Sequence, residues 1–364
     1  MQSYMDRTFR EIVRCIDVKE YFDLCRCSRN KEFNTVLQKH MTELPLKRIT
    51  RLMNKSGTSF LQRMFVMKEE DIKQSSFLVY ERYGIKIHED QMQIYIGIFF
   101  RKIEICDHVV PYIRSLRCYR NKQFKTAFQS YVYKMSPTRI TELVKNASSS
   151  FVQILHVMVE EGKHINPPVY TRYGIKIPYN VIHVFMERVL DDLSKSDDVE
   201  EYLKCNINIT TKIFQNEFQA FIRQLDRSKI EYLIKNSSDD FIDHLCVIPI
   251  DKTKDNFNCE YERYGVIISE DCIQLYVARW FNGLTKSGDI EFHLRYNRNK
   301  QTQLFKRSLR TYMEQLPEDE IERLIHTTSS EFLHKWFVTT SEDINENSIK
   351  EYEQYGTILQ GKNL

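Results

Sequence analysis

A six-residue motif that recurs four times constrains the fold of this chain more than any other feature of its sequence. The tyrosine before the glycine recurs at intervals of 90, 91 and 91 residues. The motif reads YERYGI at 80–85, YTRYGI at 170–175, YERYGV at 261–266 and YEQYGT at 352–357. Recurrence at a fixed period is typical of tandem-repeat proteins. We therefore divide the chain into repeat 1 (1–87), repeat 2 (88–177), repeat 3 (178–268), repeat 4 (269–359) and a C-terminal tail (360–364).

Two apolar stripes recur in every repeat with helical spacing. Each follows the pattern i, i+3, i+4, i+7, i+8, i+11, which is one face of an α-helix. In repeat 2 the first stripe runs from Met92 to Ile103 and the second from Phe124 to Met135. Shorter patterns predict three more helices per repeat, one of them at 107–118. Glycine and proline number only 10 and 8, which favours helices over a strand-and-turn fold. The sequence thus predicts an all-α protein with about five helices in each repeat of about ninety residues.

Two arrangements of these repeats are compatible with the sequence. The repeats can stack as a continuous solenoid, or they can form small helical bundles, with the bundles in pairs. We favour stacking, because the segments between repeats are short and contain no Gly/Ser-rich linker.

The hexapeptide lies between the last helix of one repeat and the first helix of the next. We expect its glycine to turn the chain with a positive φ, which glycine adopts without strain. We expect its two tyrosines to place their rings in adjacent repeats. The alternative is that the tyrosines and Arg82, Arg172 and Arg263 line a ligand groove, although repeat 4 has Gln354 in place of the arginine. The predicted junction residues are Tyr80, Tyr83, Gly84, Tyr170, Tyr173, Gly174, Tyr261, Tyr264, Gly265, Tyr352, Tyr355 and Gly356.

A basic motif precedes the second stripe in three repeats. It reads CRCSRNKEF at 25–33, LRCYRNKQF at 116–124 and LRYNRNKQT at 294–302, and repeat 3 has LKCNINITT at 203–211. The asparagine of each RNK triplet suits a helix N-cap, so capping with a solvated face is one interpretation. The other is an anion or partner site, because cations and free N–H groups converge at a helix N-terminus. Its residues would be Arg29, Lys31, Arg117, Arg120, Lys122, Arg298 and Lys300.

The sequence contains no common catalytic, nucleotide-binding or metal-binding motif. GxxxxGK[ST], GxGxxG, HExxH and GxSxG are all missing, and the ten histidines do not align between repeats. We therefore expect a non-enzymatic protein with no cofactor and no metal. Nine cysteines without a regular spacing are expected to be free thiols in a reducing compartment.

The chain carries no long apolar segment and no apolar stretch at its start. We therefore expect no membrane span and no signal peptide, and we expect an intracellular protein, cytoplasmic or nuclear.

Charge is distributed unevenly along the chain. Repeats 1 and 2 hold 30 Lys and Arg against 18 Asp and Glu, a net charge of +12. The remainder holds 23 against 32, a net charge of −9. Such polarity favours head-to-tail self-association or binding of the basic half to an acidic partner. Variation on solvated surfaces without a function is the alternative.

The LRCYRNK-type segment and the closing YxRYG element resemble the repeat-element proteins of ichnoviruses, the polydnaviruses carried by parasitoid wasps. The resemblance covers nearly the whole chain. It implies a viral protein that is expressed in infected insect cells and acts on host partners. It supplies no functional residue that can be transferred to this sequence.

The leading functional hypothesis is a helical-repeat interaction protein that binds protein partners. Anion or nucleic-acid binding through the basic N-terminal half is the second hypothesis. An enzyme is the third, and it would need a pocket with convergent polar groups that this sequence does not indicate.

Overall fold

The computed structural model describes residues 2–158, 173–248 and 264–359, and most of these residues lie in α-helices. This confirms the predicted all-α fold class. The chain divides into two compact units, Met1–Phe185 and Met186–Leu364.

Within the described residues, five helices fall in each repeat range. Those in repeats 1 and 2 are α1 (Gln2–Arg14), α2 (Val18–Leu24), α3 (Lys31–Thr42), α4 (Leu46–Lys55), α5 (Thr58–Met64), α6 (Met92–Glu104), α7 (Val109–Ser115), α8 (Lys122–Tyr133), α9 (Pro137–Asn146) and α10 (Ser149–Leu155). Those in repeats 3 and 4 are α11 (Ile182–Lys195), α12 (Val199–Cys205), α13 (Lys212–Arg223), α14 (Arg227–Asn236), α15 (Asp239–Leu245), α16 (Ile273–Lys286), α17 (Ile290–Tyr296), α18 (Gln303–Glu314), α19 (Glu318–Thr327) and α20 (Ser330–Trp336). The unit boundary lies inside α11.

Local capping chemistry sets where many of the helices begin. The Ser136 hydroxyl accepts a hydrogen bond from the Arg139 N–H, and Pro137 occupies the first position of α9. Asp226 caps α14 in the same way through the Lys229 N–H. A side-chain cap of this kind satisfies an N–H group that has no partner inside the helix. These two helices therefore begin where a local side chain caps them.

Four short parallel strand pairs, which the sequence analysis did not predict, connect the helices. The first strand of each pair directly follows the fifth helix of a repeat, and the second begins directly after the glycine of the hexapeptide. The pairs are β1 (Phe65–Val66) with β2 (Ile85–Lys86), β3 (His156–Val157) with β4 (Ile175–Lys176), β5 (Cys246–Val247) with β6 (Val266–Ile267), and β7 (Phe337–Val338) with β8 (Thr357–Ile358).

Aromatic side chains fill the interior of the first unit. Phe99 lies at the centre of one cluster, with edge-to-face ring contacts to Phe124 at 5.6 Å and Phe128 at 6.1 Å. The buried Tyr95 of α6 donates a hydrogen bond to the Leu61 carbonyl of α5 at 3.1 Å. Helices of repeats 1 and 2 therefore share one interior.

In the second unit, the largest fully buried side chains include two tryptophans. Trp280 of α16 packs edge to face against Phe305 of α18, with ring centroids 5.1 Å apart. Phe281 lies 5.9 Å from Phe332 and 5.7 Å from Trp336 of α20. Contacts of this geometry are favoured by the aromatic quadrupole.

None of the described helices combines the length and the apolar character that are needed to cross a bilayer. Eight of the nine cysteines lie in the described residues, and all eight are free thiols.

Candidate functional site: the junctions between repeats

The segment between the paired strands has the same hydrogen-bonded architecture in repeats 1 and 4. We call residues 67–84 and 339–356 the junction segments. In the first, the Lys73 N–H donates to the Glu81 carbonyl at 3.0 Å; in the second, Asn345 donates to Glu353 at 2.9 Å. A serine hydroxyl, from Ser76 or Ser348, donates to the carboxylate of that same glutamate. The corresponding segments at 159–172 and 249–263 lie outside the described residues.

The second tyrosine of each hexapeptide is buried within its own repeat. Tyr83 stacks on Phe22 at 4.7 Å, and its hydroxyl donates to the Asn34 side chain. The other three hydroxyls each donate to a backbone carbonyl two residues before the N-cap of the third helix of the same repeat: Tyr173 to Tyr119, Tyr264 to Ile209 and Tyr355 to Lys300. Burial raises the pKa of Tyr355 to about 12, so all of its contacts are those of a neutral phenol.

The first tyrosine also remains in its own repeat. The Tyr80 ring lies under the Arg63 guanidinium at 5.0 Å, and Tyr352 lies under Lys335 at 5.0 Å. The expectation that the two rings enter adjacent repeats is therefore wrong for these described tyrosines. Tyr170 and Tyr261 lie outside the described residues.

The glycines serve close packing, and the predicted positive φ is wrong for Gly84, Gly265 and Gly356. A Cβ on Gly84 would lie 3.0 Å from a methyl group of Val66, and one on Gly356 would lie 3.0 Å from Val338. A Cβ on Gly265 would collide with Val247. In each case the valine belongs to the first strand of the pair, so the glycine is needed where the backbone approaches that strand.

The arginine of the hexapeptide holds the junction segment together. Arg82 donates from Nε and Nη2 to the Ser76 carbonyl at 3.2 and 3.0 Å. Gln354, its counterpart in repeat 4, donates to the Ser348 carbonyl at 2.9 Å. The glutamine therefore reproduces the role of the arginine, which argues against the alternative ligand groove. Arg172 and Arg263 lie outside the described residues.

Arg117 joins repeat 2 to the junction segment of repeat 1. Burial lowers the pKa of its guanidinium, which nevertheless stays charged because Glu81 and other groups oppose the shift. Among the described residues, the guanidinium donates only to backbone oxygens. Its acceptors are the carbonyls of Arg63 at 3.2 Å, Asp71 at 3.0 Å, Tyr80 at 3.4 Å, and Glu81 and Tyr83. We call a residue at this position the clamp arginine.

Arg298 is the clamp arginine of repeat 4. Its N–H donates to the Asp243 carbonyl and its Nη1 to the His244 carbonyl, both at 3.3 Å. Arg117 makes the same two bonds, to Gln62 and Arg63. Both arginines stand four residues before the N-cap of the following helix, which is Asn121 for α8 and Thr302 for α18.

This register corrects the sequence alignment of the basic motif. Asn30 and Asn121 are N-caps as predicted, but Asn299 is not, because Thr302 caps α18. Asn299 is instead buried, and its side chain donates to the Cys246 carbonyl at 2.7 Å and to the Tyr276 hydroxyl at 2.8 Å. The triplet at 298–300 is therefore shifted by three residues from the other two triplets. At the clamp position repeat 1 has Arg26 and repeat 3 has Ile207.

The candidate anion-site residues divide into two groups. Arg117 and Arg298 bond to backbone carbonyls, and the Lys300 Nζ lies 2.7 and 3.0 Å from the two carboxylate oxygens of Glu351. These three are engaged within the protein. The other group is exposed and forms no ion pair with a described residue: Arg29, Lys31, Arg120 and Lys122.

A signal in the sequence could have identified the correct register. The second stripe begins at Phe33, Phe124 and Phe305, which occupy the same position in α3, α8 and α18. Asn30 and Asn121 precede that phenylalanine by three residues, whereas Asn299 precedes it by six. If the repeats are aligned on the first phenylalanine of the second stripe, and not on the RNK triplet, Arg298 is the counterpart of Arg117.

An open cavity of about 510 Å³ lies beside the junction segment of repeat 4. It is bounded by the end of α18, the start of α19 and residues 354–358. In repeat 1 the corresponding start of α4 is covered by repeat 2, since the Gln91 side chain donates to the Leu46 carbonyl at 2.9 Å and to the Thr50 hydroxyl at 3.0 Å.

Comparisons with known proteins give no family for this chain. No protein-family model, no curated protein and no solved structure matches it.

Proposed function

We propose that this chain is a non-enzymatic interaction protein that consists of four helical repeats and binds a protein partner inside the cell. The resemblance to ichnovirus repeat-element proteins would make that partner a host-cell protein. Stacking of the repeats as a solenoid remains part of this proposal.

The observation that carries the proposal is an apolar side chain at the tip of each described junction segment. Phe77 is 102% exposed and Ile349, its counterpart in repeat 4, is 99% exposed. What sets these two side chains apart from other exposed apolar residues is that they occupy the same position in two junction segments of the same hydrogen-bonded architecture. Burial of such a side chain in a partner's pocket would contribute about 2 kcal/mol.

The backbone on either side of these tips is fixed before any partner binds. The Ser76 hydroxyl accepts a hydrogen bond from the Leu78 N–H at 3.1 Å, and Ser348 accepts one from Lys350 at 3.1 Å. The same hydroxyls donate to Glu81 and Glu353. A preordered loop loses little conformational entropy on binding, which favours its use as an anchor.

Substitution of both tips tests the proposal. Full-length protein used as bait in insect-cell lysate should lose at least about tenfold of its specific partner when it carries Phe77→Ser and Ile349→Ser, because two anchors are removed. Thermal unfolding should not change, since neither side chain is buried. Tyr133→Ser is the control, because Tyr133 is 91% exposed at the end of α8 and away from the tips. Undiminished recovery by the double variant contradicts the proposal.

The four exposed cations favour a second candidate function, which is anion or nucleic-acid binding. Arg29 and Lys31 flank the N-cap of α3, and Arg120 and Lys122 flank that of α8. Binding through them would weaken steeply with salt, because counterions are released from the nucleic acid.

Reversal of these four charges to glutamate should abolish RNA and DNA binding in a fluorescence-anisotropy titration. The control reverses four other exposed cations with the same change in net charge: Lys47, Arg51, Lys55 and Lys134. Binding that does not depend on salt, or equal losses in both variants, would exclude this candidate.

A further inference from the structure

The clamp position of repeat 1 carries an arginine that has no acceptor among the described residues. Arg26 stands four residues before the N-cap Asn30, as Arg117 stands four residues before Asn121. Arg117 is tied to five carbonyls, whereas Arg26 is exposed and its side chain forms no hydrogen bond or ion pair with a described residue. Repeat 1 therefore has an arginine donor in the same local setting as Arg117, but no described residue provides the carbonyl acceptors.

The matching acceptors are present in repeat 4, where Tyr355 is 3% exposed and lines the open cavity. The Asp343 and Tyr355 carbonyls correspond to those of Asp71 and Tyr83, which Arg117 binds. No described residue donates a hydrogen bond to either of them. The segment around them has the geometry of its repeat 1 counterpart, because Asp343 Oδ2 accepts from the Thr339 and Thr340 N–H groups just as Asp71 Oδ2 accepts from those of Met67 and Lys68.

A second bond between repeats 1 and 2 also has an unused donor in repeat 1. The Asn121 Nδ2 donates to Asp71 Oδ2 at 3.2 Å. Asn30 caps α3 through its Oδ1, and its Nδ2 has no partner among the described residues. Asp343 supplies the equivalent carboxylate in repeat 4, where its Oδ2 already accepts from the N–H groups and hydroxyls of Thr339 and Thr340.

The charges of the two surfaces are complementary. Exposed Arg29 and Lys31 lie beside Arg26 in a repeat with 17 basic and 11 acidic residues. The acceptor side carries Glu342 and Asp343, and α19 begins with Glu318, Asp319 and Glu320. Attraction between these surfaces would speed association and orient the two partners.

From these observations we propose that two copies of this chain associate head to tail, with Arg26 of one copy bound to the Asp343 and Tyr355 carbonyls of the next. The contact repeats the one between repeats 1 and 2. It deepens the proposed binding function by naming one partner, a second copy. Because the donor and acceptor surfaces differ, each added copy exposes a new acceptor, and such a contact builds either a closed ring or an open chain.

Sedimentation velocity of the full chain over a range of concentrations tests this inference. The wild type should form dimers and longer chains at low salt and dissociate at high salt. Arg26→Glu should raise the dissociation constant at least tenfold, as should Glu318→Arg combined with Glu342→Arg. Lys134→Glu, an exposed reversal at the end of α8, is the matched control and should associate like the wild type.

Mixing the two blocked variants provides the decisive measurement. The Arg26→Glu chain retains its acceptor surface, and the Glu318→Arg/Glu342→Arg chain retains its donor surface, so the mixture should form a 1:1 dimer and nothing larger. Thermal unfolding should be the same for both variants, because the substituted residues are exposed. A wild type that stays monomeric, or a dimer that Arg26→Glu leaves intact, overturns the inference.

The loop-tip variant separates this inference from the proposed function. Phe77→Ser/Ile349→Ser should self-associate normally, since neither residue belongs to the clamp. If that variant loses a host partner while the wild type proves monomeric, the proposed function holds and the head-to-tail contact does not.

Discussion

At the scale of single residues, the clamp arginine is the side chain on which the junction most depends. Arginine presents five N–H donors in a planar fork, and Arg117 uses them on carbonyls from α5, from the junction segment and from the hexapeptide. Between β1 and β2 the chain forms no α-helix, so the carbonyls there lack the N–H partners that an α-helix would supply. One side chain thus replaces several backbone partners.

We predict that Arg117→Ala destabilises the protein by about 3 kcal/mol or more, because hydrogen bonds from a charged donor contribute about 1.5–3 kcal/mol each and buried carbonyls would lose their partner. Urea unfolding followed by circular dichroism gives the value. Arg120→Ala is the matched control, since Arg120 is exposed three residues away and should change stability by less than about 0.5 kcal/mol. Equal effects of the two substitutions would contradict the assigned role.

At the scale of elements, α15 and α17 meet through a buried acid and a half-buried histidine. Asp243 Oδ2 lies 3.8 Å from His293 Nδ1. Burial raises the pKa of Asp243 to about 7, and burial lowers the pKa of His293. Both shifts favour the neutral form of the group, as expected where two ionisable side chains are removed from water.

The raised pKa of Asp243 predicts that its own contribution to stability is lost as pH rises, whereas the lowered pKa of His293 acts in the opposite direction. The pKa of Asp243 in the folded protein is above the ordinary value of 3.8, so the folded state binds the proton more tightly than the unfolded state. Its stabilising contribution is therefore complete below about pH 4 and is lost as pH rises towards 7, by about 4 kcal/mol in total.

Comparison with an isosteric amide isolates this contribution. Asp243→Asn should unfold with a weaker dependence on pH between 4 and 8 than the wild type, and its relative stability should increase with pH. Asp197→Asn is the control, because Asp197 is exposed and should follow the wild-type curve. Urea midpoints measured across this range give both curves, and parallel curves for Asp243→Asn and the wild type would refute the prediction.

At the scale of the whole molecule, neither the net charge nor the clamp arginine is distributed evenly along the chain. The first two repeats carry +12 and the remainder −9. Arginine occupies the clamp position in repeats 1, 2 and 4, whereas repeat 3 has Ile207 there, and the second compact unit begins within repeat 3. A donor without an acceptor in repeat 1 and acceptors without a donor in repeat 4 are the basis of the proposed head-to-tail contact.

The sequence by itself determined the helices of this protein and the starts of many of them. Apolar spacing at 3.6 residues and caps such as Ser136 and Asp226 act within one or two helical turns. Helices can therefore be predicted from residues that are close together in the sequence. The sequence also singled out the glycines of the hexapeptide, although the positive φ predicted for Gly84, Gly265 and Gly356 is wrong.

Only the tertiary structure decided what the junction residues do. The two-residue strands are too short to give a periodic pattern, and Gly265 is needed because Val247, eighteen residues earlier, packs against it. The acceptors of Arg117 lie up to 54 residues away in sequence. Contacts at such separations depend on how helices pack, which no local pattern encodes. For this reason the same RNK triplet places a helix cap at Asn121 and a buried hydrogen-bond donor at Asn299.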